Sequence, residues 1–339
     1  MEQNQKTPPT NTNREFVFRI FVCAVAVLAL STAITFIIRS IVMDSNATKR
    51  LLAEAFMSYE SESPKTPETA KEVEAVITSQ TKTPTETTAK PEPEDNIALV
   101  SASLAQNKAS INNYTAYAID EIALRNHKFE FYTDTSAPVV LILHSHINEC
   151  YAPEGATTVQ SSFTFENNDR TQNIFAVGEV IAEVLRASGI GVIHATEEAS
   201  NPERLITEYR AAYPSIRFVI DLHRDGMYTT DGRIVRTDGK IGNTPAAEIM
   251  LAIGTDSANG GSDWQKNLAA AYQLASMISE AEPKIMRSIL LRPEALGQQY
   301  APSSLSLYIG TTGNTLSEAL TSARFFARYY AIFILSAIK

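Results

Sequence analysis

Residues 139–151 read VVLILHSHINECY, five apolar residues followed by three side chains, His144, His146 and Glu149, that can each hold a proton or a metal ion. A short, continuous apolar run rich in branched residues is the pattern of a strand buried on both faces of a sheet. In open α/β sheets, the side chains just past the carboxyl ends of the strands line the ligand crevice. A second run, RFVIDLHRDG at 217–226, ends the same way, with Ile220 and Leu222 alternating with Asp221 and His223. If the two strands are neighbours, His146 and His223 face one cavity, and their imidazole nitrogens suit zinc.

A catalytic zinc takes about three protein ligands and keeps a position open for water. The third donor is expected to be a carboxylate, and two are placed to supply it: Asp169, just before a helix that opens at Asn173, and Glu149, just after His146. Each has a plainer reading, since a carboxylate at a helix start is commonly a cap. His127 and His194 stand in less regular contexts and read as surface residues. Cys150 reads as an inert thiol, because nothing near it in sequence would lower its pKa.

Working outward, β-rich runs at 138–143, 216–222, 248–254 and 305–310 alternate with amphipathic helical patterns. That alternation predicts an α/β domain with a mainly parallel central sheet flanked by helices. Ile174, Val177, Ile181 and Leu185 are spaced three and four apart, and Gly189 follows where a C-cap is expected, which gives one helix. Asp263 is expected to cap another that runs to about Ala281 before Pro283. Thr315 and Glu318 have the spacing of a capping box, so a closing helix spans 315–338. Its apolar tail is too short to span a bilayer and is expected to be buried or docked on the surface.

The 339 residues, 44% of them hydrophobic, are enough for a sizeable core. The formal charge of −9, with no basic cluster, gives a nucleic acid no electrostatic footprint. Residues 20–38, IFVCAVAVLALSTAITFII, carry no charge and lie within a span expected over 16–40. This is long enough to cross the roughly 30 Å hydrocarbon core, and longer than the roughly 7–15 apolar residues of a signal peptide. The expected layout is a cytoplasmic tail over 1–15, one transmembrane helix, and an extracytoplasmic linker over 41–109. After residue 60 the linker turns to Pro, Thr, Glu, Ser and Lys, which bury too little apolar surface to order. The folded domain is placed at 110–339.

Five blocks in one order, HSHINECYAP, NIFAVGEVIAEVLRASGIGVIH, PSIRFVIDLHRDG, AEIMLAIGTD and GTTGNTLSEALTSA, resemble the stage II sporulation protein P family of membrane-anchored peptidoglycan hydrolases. The resemblance covers about 130–325. It implies a fold like the zinc-dependent N-acetylmuramoyl-L-alanine amidases, with zinc held by His146, Asp169 and His223, and with His144 matching the other histidine of the family's HTH-like motif. The implied reaction is hydrolysis of the muramoyl-L-alanine amide, together with a peptide-cleaving activity on cross-links, during engulfment. The implied partners are peptidoglycan, the membrane through one N-terminal helix, a lytic transglycosylase and other engulfment membrane proteins. One position departs from the family: the glutamate before its G-x-T-G-N-T block is Tyr308 here, a poor base at neutral pH. Two readings follow. Either Glu149 handles the proton and Tyr308 donates a hydrogen bond to an oxyanion, or the chain is a weakened or non-catalytic wall-binding relative.

Overall fold

The computed structural model describes residues 96–255 and 263–339. The tail, the span expected over 16–40 and the tether up to residue 95 lie outside the described residues. Among those described, no helix is long and apolar enough to cross a membrane.

In chain order the elements are β1 (Asn96–Ala102), β2 (Ile111–Asn113), α1 (Glu121–Asn126), β3 (Pro138–His144), β4 (Thr158–Gln160), α2 (Ile174–Ala187), β5 (Gly191–Glu198) and α3 (Pro202–Ala212). Then follow β6 (Phe218–Asp225), β7 (Ile234–Thr237), β8 (Gly239–Ile241), β9 (Thr244–Ala246), β10 (Ile249–Gly254), α4 (Trp264–Ala281), β11 (Ile289–Arg292), β12 (Ser304–Thr311) and α5 (Leu316–Ala337). The main sheet has the order β2-β11-β10-β12-β6-β3-β5. Its pairs are parallel except β10 with β12, so the sheet is mixed rather than simply parallel. The cause is the link between β11 and β12: residues 293–303 are too few for a crossover helix, and the chain turns back instead.

Every second side chain of the central strands enters one core. Val140, Ile142, Ile220, Leu222, Leu305 and Leu307 pack there against α2 and α5. On α2, Ile174, Val177, Ile181 and Leu185 are all fully buried, as their spacing predicts. Asn173 caps that helix by accepting from the Phe175 N–H, and Gly189 closes it at φ 78°. The capping box of Thr315 and Glu318 forms with both of its bonds. The apolar tail of α5 is buried along one side, with Tyr330 and Phe333 set edge-on against Phe218 and Leu335 exposed. Each such ring stabilises the fold by about 1.5–3 kcal/mol through burial. Asp263 does not cap α4 with its side chain, because its carboxylate pairs with Lys266 instead.

The opposite face carries a smaller core, in which Leu141, Leu143 and Val219 meet Leu205 and Ile206 of α3. The expected linker reaches into the fold before residue 110. β1 pairs with β7 and β4, and Ile97 and Leu99 pack on Val159, Phe165 and Ile234. Those two apolar side chains supply the burial that the preceding polar tether lacks.

Candidate active site

β3 and β6 are parallel neighbours, with Leu143 opposite Asp221, so the residues at their carboxyl ends meet. His146, exposed just past β3, has its ring 5.8 Å from that of His223. Each nitrogen of the His223 imidazole faces a carboxylate. Its Nε2 lies 3.1 Å from Asp221 Oδ2, and its Nδ1 lies 3.7 Å from Glu149 Oε2. Burial works against charge on this ring, but the two carboxylates outweigh it and push the His223 pKa up to about 10.

Asp221 is itself fixed by the Ser145 N–H and hydroxyl, which donate to it at 3.0 and 2.6 Å. Glu149 accepts from the Arg224 N–H at 3.2 Å. The Arg224 guanidinium donates to the carbonyls of Cys150 and Phe165 at 2.7 and 2.9 Å, which pins the loop that carries Glu149. Arg224 and Asp225 therefore do not pair with each other; Asp225 pairs with Arg287 at 2.8 Å. Tyr308, opposite His223 on β12, stacks on its ring at 5.2 Å. Burial first, and then the neighbouring Asp221, Asp225 and Glu149, push its phenol up to about 12, so at neutral pH it stays protonated and can donate a hydrogen bond but cannot act as a base.

The family model for stage II sporulation protein P matches residues 35–331. The chain belongs to the stage II sporulation protein P family. No curated protein matches it. Solved structures similar to it include amidases. Ami1 of Mycobacterium abscessus, in its apo form, is 12% identical at a TM-score of 0.37, covering 59% of this chain and 99% of its own. AmiC2 of Nostoc punctiforme is 13% identical at 0.36, covering 58% and 95%. CwlD of Clostridioides difficile, solved in complex with the GerS lipoprotein, is 14% identical at 0.33, covering 58% and 95%. At these scores the likeness carries no functional argument.

In this stage II sporulation protein P family member, the donors that meet at the strand ends are of the right kind for zinc. Two imidazoles and a carboxylate form a recognised zinc-binding set, and a ligating histidine usually gives its other ring N–H to a carboxylate, as His223 can to Asp221. Among the described residues, no three His, Cys, Asp or Glu side chains are grouped closely enough to hold a metal ion as they stand. Asp169, the expected third ligand, is exposed, and its Oδ1 accepts from the N–H and hydroxyl of Thr171 at 2.9 and 2.7 Å. It closes its own turn, the plainer role that a carboxylate before a helix suggests.

His144 does not share a site with His146: two residues apart they would share a face on a continuous strand, but β3 ends at His144 and the chain bends at 145–146. It is fully buried, donates from Nδ1 to the Leu222 carbonyl at 3.3 Å, and sets its Nε2 2.8 Å from His194 Nε2. Burial lowers its pKa to about 3. His194 is not a surface residue. It is 9% exposed, stacks on Phe175 and reaches Glu179 Oε2 at 2.8 Å. Cys150 is a buried free thiol whose pKa burial raises, as expected of an inert one. The TGNT block is a structural turn. Gly310 has φ 68°, the Asn314 side chain accepts from the Thr237 and Thr311 N–H groups, and the Thr315 N–H donates to Glu318.

Asp221 was the member of the site that sequence reasoning passed over. The signal was present: in FVIDLH it is an acid inside an apolar strand, two residues from His223 and so on the same face.

Proposed function

We propose that this chain is a membrane-anchored peptidoglycan hydrolase of sporulation that cleaves the muramoyl-L-alanine amide, with a slow proton-transfer step. The reading is carried by one observation: His146 and Glu149 each approach His223 at the carboxyl ends of adjacent strands, with Asp221 behind His223. A zinc ion would be held by His146, His223 and Glu149, with Asp221 orienting the His223 ring. Bound there, zinc supplies a polarised amide carbonyl and a water of lowered pKa. Tyr308, protonated at neutral pH, donates a hydrogen bond to oxygen that gains charge. No carboxylate stands at position 308 to take the water's proton, which costs about 10²–10⁴ in rate where such a base is lost. The apolar stretch over 20–38 would hold the chain in the cell membrane, with the folded domain outside and within reach of a lytic transglycosylase partner.

Incubating the full chain with purified sacculi and zinc should release soluble muropeptides, and a chelator should stop the release. Absence of release at every metal concentration would refute the hydrolase. Tyr308 favours a second reading, a wall-binding relative without turnover, because its ring stacks on His223 where the family carries an acid. Wall binding that persists with chelator and without product would support that reading.

A further inference from the structure

We infer that the cleft beside His223 is a saccharide site, built for the neutral N-acetylated glycan of the wall polymer and not for its carboxylate-bearing peptide. The choice of polymer rests on the reading above. The site follows from how the sheet is covered. α2 and α5 cover one face of β3, β6 and β12. On the other face α3 covers only the near part, over Leu141, Leu143 and Val219. Beyond it, Ser145, Asp221, His223, Ser306 and Tyr308 form the floor of an open cleft of about 470 Å³. Its walls are the start of α3 at 200–203 and the segment 295–300, which bring Asn201, Leu296, Gln299 and Tyr300 to it.

The lining chemistry selects among ligands. No Lys or Arg lines the cleft, and the ring nitrogens of His223 already face Asp221 and Glu149. A carboxylate entering it would lose water and meet only an imidazole that Asp221 and Glu149 already flank. A cationic ligand fares no better. Asp221 is committed to Ser145 and His223, and Glu203 lies in the first turn of α3, where the helix N-terminus favours its charge. The rest of the lining presents hydroxyls, the Gln299 side-chain amide and the rings of Tyr300 and Tyr308, the Asn201 oxygen being taken by the Arg204 N–H at 3.0 Å. They match the hydroxyls, acetamido groups and flat C–H faces of a neutral sugar.

The full chain, held in chelator so that nothing is cut, should be titrated with chitotetraose and separately with a free stem tetrapeptide, followed by calorimetry. Chitotetraose should bind, with an affinity unchanged between low and high salt. Tyr300→Ala should weaken it about five- to tenfold, the worth of one ring contact. Gln299→Ala, a smaller change to the same wall, should also weaken it. Binding of the tetrapeptide alone, binding of neither, or saccharide affinity indifferent to both variants would overturn the site. Wall hydrolysis without chitotetraose binding would end this inference and leave the hydrolase standing. Chitotetraose binding without any hydrolysis would do the reverse.

Discussion

Asp221 Oδ2 stands 3.1 Å from His223 Nε2, so the ring's Nδ1 is left facing Glu149 and the side of His146. A carboxylate behind an imidazole fixes both the tautomer and the direction of the free nitrogen. Asp221→Asn keeps the shape and removes the charge. Zinc affinity of the full chain, measured by competition with a chromophoric chelator, should fall about 10–100-fold. An unchanged affinity would show that Asp221 does not orient the ligand.

Tyr308→Glu restores a proton acceptor at the position opposite His223. Muropeptide release from sacculi should rise by about 10²–10⁴. The pH profile should gain an acid limb from the new carboxylate. A variant no faster than the native chain would mean that position 308 does not handle the proton.

Gly178 of α2 passes over the buried pair of His144 and His194. A Cβ there would lie 2.7 Å from His194 Nε2 and 2.9 Å from His144 Nε2. Neither ring can retreat, since His144 is tied to the Leu222 carbonyl and His194 to Glu179. Gly178→Ala should destabilise the fold by about 1–3 kcal/mol through overpacking. A lower urea midpoint at unchanged slope would register it; an unchanged midpoint would count against the packing described.

Chelator-treated protein should be most stable near the ordinary histidine pKa of about 6.5. His144 is lowered to about 3, so the unfolded chain binds its proton first. Its contribution is present above about pH 6.5 and is lost as pH falls towards 3. His223 is raised to about 10, so its contribution is present below about 6.5 and is lost as pH rises towards 10. Thermal melts across pH 4–10 should therefore trace a dome. A flat curve between pH 4 and 6.5 would mean that the buried histidine pair does not resist protonation.

The local grammar of the chain was legible because it depends on neighbours in sequence. The strand 139–143, the face of α2 and the capping box at Thr315 are set by spacing and by chemistry within one or two turns. The convergence of His146 and His223 could be anticipated too, since strand ends in such sheets gather at one edge. Which partners each histidine has could not. His144 and His194 sit fifty residues apart, and only the pairing of β3 with β5 brings their nitrogens to 2.8 Å. Which of the two candidate carboxylates stands beside His223 was equally hidden. Asp169 and Glu149 look alike in sequence, and what separates them is that Arg224 and the bonds of residues 150 and 165 fold Glu149 inward while Asp169 closes an exposed turn. The sequence by itself determined the alternation of strands and helices and the family to which the chain belongs. The tertiary structure alone decided which titratable groups share a site, because contacts between distant segments are set by how whole elements pack.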